Sequence, residues 1–297
     1  MEALLLPGQK NGIYNDYNTQ PPPDGTAVFD LLSLKGKTAI ITGAGGGIGF
    51  AAAEAFAEAG ANVAIWYNSN SAAVEKAAQL SEKHKVNCRA YKVDVTSEDE
   101  VKKAVDQGVR DLNGRLDVFV ANAAIAWFSG RILDASTEDF VKILNSNLFS
   151  VYYAAKAAGL HFRRQKETEK DVFGQPLNNF TYGSFIVTSS ASTVKQLHPQ
   201  VGTPYSSTKG FLEQFVKGLA LEWVTFARVN SVCPGYVTTE MLKTVPDEIR
   251  AVWRGQVPMG REGTVTECKG LYLYLATDAS AFTTGTNVVI DGGYSLQ

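Results

Sequence analysis

Thr38-Ala39-Ile40-Ile41-Thr42-Gly43-Ala44-Gly45-Gly46-Gly47-Ile48-Gly49 is the stretch whose reading decides the fold. Its first four residues are an apolar, β-rich run, the pattern of a short strand buried on both faces. A glycine-rich turn follows. The Ala-rich segment 48–59 then reads as a helix capped by Gly60. Glycine lets a backbone turn sharply and approach a pyrophosphate closely, and a helix N-terminus offers unpaired N–H groups to an anion. A glycine string alone is only a turn. Placed after the first buried strand of a βαβ series, it predicts a dinucleotide site. The turn does not end in Gly-Lys-Ser/Thr, which argues against a mononucleotide P-loop.

Outward from this turn the same rhythm repeats. Residues 62–67, 88–93, 116–121, 184–188, 228–232 and 287–290 read as strands. Residues 72–83, 98–112, 137–162 (one long helix or two abutting ones), 204–225 and 264–276 read as helices. Strands alternating with helices predict a parallel sheet covered on both faces, and right-handed crossovers make it doubly wound. The alternation is unbroken, so the 297 residues are expected to form one α/β domain at 34–297 behind an extension at 1–33. That extension holds Pro21-Pro22-Pro23 and has no sustained apolar period, with Leu31-Leu32 as its candidate anchor. Two segments break the rhythm. Residues 163–182 are polar and predict a surface loop. Residues 236–263, with Met241, Trp253 and Met259, lie beyond a strand's carboxyl end and are placed to act as a substrate lid.

Composition narrows the function. The chain is 45% hydrophobic and 20% charged, ordinary for a globular protein. A formal charge of −2 argues against a general electrostatic hold on nucleic acid or membrane. Cys88, Cys233 and Cys268 form no C-x-x-C pair, and His84, His161 and His198 have no metal-like spacing. No metal is expected, and a reduced, cytoplasmic setting is. The early apolar run at 3–6 stops at Pro7, too short for a signal or a span.

The second strand's end speaks to the cofactor. NAD-selective sites usually place Asp or Glu there for the ribose 2′-hydroxyl. Here Trp66-Tyr67-Asn68-Ser69-Asn70 carries no carboxylate, which favours NADP, held by Asn68, Ser69 and Asn70. Downstream, Tyr205-Ser206-Ser207-Thr208-Lys209 places Tyr and Lys at i and i+4 on one helix face. A nearby ammonium lowers a phenol's pKa from about 10, and a tuned phenol can exchange a proton with a carbonyl oxygen. Thr188-Ser189-Ser190 ends the strand before it and offers a hydroxyl to a substrate carbonyl.

These motifs together resemble the short-chain dehydrogenase/reductase family over residues 34–294. The turn at 42–49, Asp94, Asn122 and Pro234-Gly235-Tyr236-Val237-Thr238-Thr239 occur in the family's order. Segments such as Val63-Ala64-Ile65-Trp66-Tyr67-Asn68-Ser69 and Gly260-Arg261-Glu262-Gly263 are similar to fungal NADPH-dependent carbonyl, sorbose and mannitol-type reductases. The resemblance implies a Rossmann-type fold and a catalytic set of Asn147, Ser190, Tyr205 and Lys209. Tyr205 would give the proton, Lys209 would hold the nicotinamide ribose and depress the Tyr205 pKa, Ser190 would hold the carbonyl, and Asn147 would hold a relay water. Ser189 and Ser192 compete with Ser190 for its role, and Asn147 has a purely local role as its alternative. The implied cofactor contacts are Gly43, Gly45, Gly47, Ile48, Gly49, Asp94, Val95, Asn122, Pro234, Gly235, Val237 and Thr239, around NADPH or NADP+. A homotetramer or homodimer is implied too, with Tyr152, Tyr153, Phe211 and Phe215 as contacts.

The sequence also departs from the family. Asn122-Ala123-Ala124 replaces the usual Asn-Ala-Gly, and a longer segment holding Lys195, Gln196, His198 and Pro199 separates Ser190 from Tyr205. Those four residues are expected to shape a tailored pocket. The expected activity is NADPH-dependent reduction of a ketone to a secondary alcohol. One alternative is a biosynthetic reductase of an imine or iminium that also guides a cyclisation, with Trp127, Phe128, Arg131 and Trp253 around an aromatic substrate. The other is a non-catalytic NADP(H)-binding sensor, against which the intact Tyr205, Lys209 and Ser190 argue.

Overall fold

β1 (Thr38–Ile41) has all four residues buried, as its apolar run predicts. It lies inside a seven-stranded sheet with β2 (Asn62–Tyr67), β3 (Cys88–Lys92), β4 (Val118–Ala121), β5 (Gly183–Thr188), β6 (Ala227–Pro234) and β7 (Asn287–Ile290). The spatial order is β3-β2-β1-β4-β5-β6-β7, and every neighbouring pair is parallel. The chain moves outward from β1 to β3, then crosses back to β4 on the other side of β1. That reversal opens a crevice at the carboxyl ends of β1 and β4. The architecture is Rossmann-like, as the alternation of elements predicts. The computed structural model describes residues 9–10, 13–14, 19–243 and 245–296.

Strand side chains alternate between two apolar layers. Ala39, Ile41, Val63, Ile65, Val118, Val120 and Ile186 face α1 (Gly47–Glu58), α2 (Ala72–His84) and α8 (Val265–Ala276). Ile40, Ala64, Trp66, Phe119, Phe185 and Val187 face α3 (Glu98–Leu112), α5 (Ser150–Thr168) and α6 (Thr203–Trp223). Aromatic rings carry the second layer across the sheet: Trp66 meets Phe119 edge-on at 5.7 Å, Phe119 stacks on Phe185, and Phe185 meets Trp223.

Two expectations need refining. Residues 137–162 do form one continuous helical run, as expected, but it is not uniformly α-helical. α4 (Thr137–Leu144) passes through a π turn, Asn145–Phe149, into α5. The segment 163–182 is also not wholly a loop, because α5 continues to Thr168 and ends at Glu169 in the left-handed region. Arg164 there donates to the Asp171 carbonyl at 2.9 Å, and Gln165 turns inward. The fully buried Gln165 amide accepts from the Leu116 N–H at 2.7 Å and donates to the Leu116 carbonyl at 2.6 Å.

The excursion after β6 is pinned at its base by parallel pairing of Val237–Thr238 with Gly263–Thr264. α7 (Asp247–Gln256) lies within it. Arg250, Arg254 and Thr238 converge on the buried Glu262 carboxylate. Of the 1–33 extension, Gln9–Lys10 pairs antiparallel with Ile13–Tyr14, and a short helix, Val28–Leu31, leans on the turn at Asp278–Ser280. Leu31 and Leu32 are half-buried. The other residues among 1–18 lie outside the described residues.

Candidate active site

The crevice at the carboxyl ends of β1 and β4 widens into a cavity of about 800 Å³. Its floor is the glycine turn. α1 begins at Gly47 with no side-chain cap and no acidic residue in its first turn, so its N-terminal N–H groups face the cavity uncompensated. Gly43 has φ +64°, and a Cβ there would lie 2.8 Å from the Ala123 Cα. The turn can therefore run close under β4 only with glycine. Asn122, after β4, holds the turn: its amide donates to the Thr42 carbonyl at 3.0 Å, while the Thr42 hydroxyl accepts from the Asn122 and Ala123 N–H groups at 2.9 Å each. The Thr188 hydroxyl donates to the Asn122 Oδ1 at 3.1 Å, which ties β5 into the same seam.

Of the expected cofactor residues, Gly43, Gly47, Ile48, Asn68, Ser69, Asn70, Asp94, Val95, Asn122, Pro234, Gly235, Val237 and Thr239 line the cavity. Gly45 and Gly49 do not. Gly49 packs beneath Asn122, where a Cβ would come 2.5 Å from Nδ2. The Gly45 carbonyl accepts from Asn70 Nδ2 at 2.8 Å and from Lys76 Nζ at 2.9 Å. Asp94 lines the wall while accepting from the Thr96 N–H and hydroxyl, and Ser97 caps α3. No carboxylate stands at 68–70. An open helix terminus, a glycine floor and a long cavity fit a dinucleotide.

At the other end of the cavity stand Ser190, Tyr205 and Lys209. α6 carries Tyr205 and Lys209 on one face, with the Lys209 ammonium 5.7 Å from the Tyr205 ring centre. Lys209 is 2% exposed and donates to the Thr188 carbonyl at 2.8 Å. Burial pushes its pKa down to about 8. Burial also raises the Tyr205 phenol above its ordinary value, with the Ser190 hydroxyl beside it pulling the other way. The expectation of a phenol lowered by Lys209 is thus reversed here, because loss of hydration outweighs the Ser190 hydrogen bond. Ser190 accepts from the Ser192 N–H at 3.1 Å, and the Ser189 hydroxyl is turned away to the Lys209 carbonyl. Asn147 is fully buried on the π turn and does not reach the cavity. Its Oδ1 accepts from the Ile125 N–H at 2.8 Å, and its Nδ2 donates to the Ile125 carbonyl at 3.0 Å. The side chain therefore clamps Ile125, itself a cavity residue.

A profile described as Enoyl-(Acyl carrier protein) reductase matches residues 43–295. The chain belongs to the short-chain dehydrogenase/reductase family. It is 50% identical to an L-xylulose reductase of Hypocrea jecorina, over 97% of this chain and 99% of that one. It is 43% identical to a sorbose reductase of Candida albicans, over 93% of each. Among solved structures, the NADPH-dependent 3-quinuclidinone reductase of Rhodotorula rubra superposes with a TM-score of 0.86 at 37% identity, covering 95% of this chain and 100% of that one. As a short-chain dehydrogenase/reductase the chain is an oxidoreductase.

The substrate end of this short-chain dehydrogenase/reductase site is largely apolar and aromatic. Tyr236 stacks on Trp253 with ring centres 4.4 Å apart, and Tyr294 meets Tyr236 edge-on. Trp127, Phe128, Ala124, Leu197, Leu242 and Ile249 complete the wall. Ala124, where the family pattern has glycine, lines the cavity. Lys195, Gln196, His198, Pro199 and Arg131 do not line it; Leu197, Gln200 and Val201 come from that longer segment instead. Sequence reasoning missed the Thr42 hydroxyl, Gly46, Ile125 and Lys76. Thr42 and Gly46 sit inside the quoted turn and were legible by position. Ile125 lines the cavity and Lys76 braces the turn at the Gly45 carbonyl, both by contacts that no periodic pattern encodes.

Proposed function

We propose that the chain reduces the ketone of a small, sugar-like carbonyl compound to a secondary alcohol with NADPH, and runs the reverse oxidation at high alcohol. The observation that carries this reading is the meeting of Ser190, Tyr205 and Lys209 with the glycine turn in one cavity at the sheet's switch point. The relatives' names, a xylulose reductase and a sorbose reductase, support a ketose-like substrate. The NADPH reading rests on the carboxylate-free Asn68-Ser69-Asn70 and on the NADPH-dependent structural relative. Residues 34–297 act as one dinucleotide-binding catalytic domain, with 236–263 as its lid. We place the enzyme in the cytoplasm, in keeping with three buried, unpaired cysteines. We infer a homodimer or homotetramer joined through α5 and α6, which expose Tyr152 and Phe211.

When bound, the nicotinamide supplies the hydride, which no side chain can carry. The chain's own residues do the rest. Gly43, Gly46, Gly47 and Ile48 would receive the pyrophosphate at the open end of α1, and Val237 and Thr239 would border the nicotinamide. Ser190 donates to the substrate carbonyl. Tyr205, kept protonated by burial, gives its proton to the same oxygen as charge develops there. Lys209 would hold the nicotinamide ribose and restore the Tyr205 proton. Asn147 positions the cavity wall through Ile125.

The test follows nicotinamide absorbance over ketoses, aryl ketones, α-keto esters and cyclic imines, with NADPH and NADH in parallel. Turnover of ketoses with NADPH is expected. Tyr205→Phe should lower it by about a hundredfold to ten-thousandfold, the usual worth of a positioned acid, with NADPH binding kept. An unimpaired Tyr205→Phe enzyme, or a preference for NADH, would sink the reading.

A further inference from the structure

The floor of the cavity lacks a cation of its own. Gly46 lines it, and the strand end contributes only Asn68, Ser69 and Asn70. A positive charge nevertheless arrives from the next helix. Lys76, on the second turn of α2, reaches back across the turn and donates to the Gly45 carbonyl at 2.9 Å. The same oxygen accepts from Asn70 Nδ2 at 2.8 Å, so ammonium and amide converge on one atom just behind the cavity wall, beside the lining residues Asn70 and Gly46. The Lys76 ammonium also sits over the Phe50 ring, 4.7 Å from its centre. Ring and carbonyl hold the half-buried side chain in place, and neither neutralises its charge. The position is telling. In a dinucleotide fold the residues just after the second strand meet the adenosine ribose, where a 2′-phosphate is either repelled by an acid or met by a base.

We propose that Lys76 is the residue that selects the phosphorylated cofactor, by pairing with the 2′-phosphate of NADPH alongside Asn70 and Ser69. The assignment rests on the NADPH reading above and adds the source of the preference. A lysine binds phosphate as a compact point charge on a flexible stem, so a short swing from the Gly45 carbonyl onto the phosphate suffices. Asn70 keeps its own bond to Gly45, and the turn does not unravel when the lysine leaves.

Direct binding tests this without turnover. Dissociation constants for NADPH, NADH, 2′,5′-ADP and 5′-AMP are measured by titration calorimetry on the full chain and on Lys76→Met and Lys76→Arg. Lys76→Met should weaken NADPH and 2′,5′-ADP by about tenfold to a hundredfold, the worth of one charge-assisted bond. NADH and 5′-AMP should stay within about twofold, and Lys76→Arg should keep most of the NADPH affinity. Equal weakening of NADPH and NADH would overturn the assignment, since it would mean that Lys76 only supports the turn or meets the pyrophosphate. Unchanged NADPH affinity in Lys76→Met would overturn it as well, with the cofactor reading intact. A native chain that binds NADH as tightly as NADPH would overturn the cofactor reading and the assignment together.

Discussion

Lys209 shows what the site costs. Its ammonium is enclosed, with the Thr188 carbonyl as its bonded partner, and burial moves its pKa from an ordinary 10.5 to about 8. A lysine whose pKa is lowered on folding binds fewer protons folded than unfolded between those two values. Stability from this group therefore rises with pH from 8 to 10.5, and below pH 8 the folded state carries a penalty of about 3 kcal/mol, at about 1.4 kcal/mol per pKa unit. Lys209→Met should then stabilise the chain by about 1–3 kcal/mol at neutral pH, the lost Thr188 bond offsetting part of the gain. Its activity should vanish. Urea titrations at pH 7 and above pH 10 check this; a destabilised variant at neutral pH would contradict it. In the native enzyme, kcat/KM for reduction should decline as pH rises through about 8, because the Lys209 proton that replenishes Tyr205 is then lost. Tyr205 and Lys209 were legible as a pair because i,i+4 spacing on a helix is a geometric statement. Asn147 was legible as a position but not in its action, since only the fold brings the Ile125 backbone to it.

At the scale of elements, the seam between the glycine turn, α1 and β4 is the tightest joint near the site. A methyl at Gly49 would meet Asn122 Nδ2 at 2.5 Å and the Gly43 carbonyl at 2.7 Å. Gly49→Ala should cost about 1–3 kcal/mol, as overpacking does. It should also weaken NADPH by displacing Asn122, although residue 49 does not touch the cavity. An unfolding midpoint and a cofactor titration on the same sample separate the two effects, and an unchanged midpoint would show that the seam yields. Strands and most helices were readable because burial on both faces leaves continuous apolar runs and Ala-rich helices carry their own propensity. The π turn at Asn145–Phe149 was not, because one widened turn leaves the apolar pattern of the flanking helices intact. The helical stretch to Thr168 was hidden by a polar surface whose one inward residue, Gln165, is itself polar.

Across the whole molecule, the excursion over the site is fastened far from the chemistry by Glu262. Burial pushes this carboxyl's pKa up, but bonds from Arg250 and Thr238 outweigh it and leave the pKa lowered. A lowered carboxylate stabilises above its ordinary pKa of about 4.3 and loses that contribution as pH falls through the folded value. Glu262→Gln should therefore behave at neutral pH as the native chain does in acid. Hydrogen exchange should quicken in Asp247–Gln256 while β1 and β4 stay protected, and KM should rise several-fold with kcat less affected. Exchange unchanged in that helix would show that the apolar contacts of Trp253 hold it alone. The sheet beneath needs no such fastening, and the reason lies partly in Gln165. Its amide completes both peptide groups of Leu116 as a neighbouring strand would. A helix that supplies one residue's worth of missing strand cannot slide or rotate against the sheet without stranding two backbone groups in a dry interior. Gln165 thus works as a dowel: it indexes α5 to the root of β4, and so carries the alignment of a long surface helix to the strand whose far end holds Asn122.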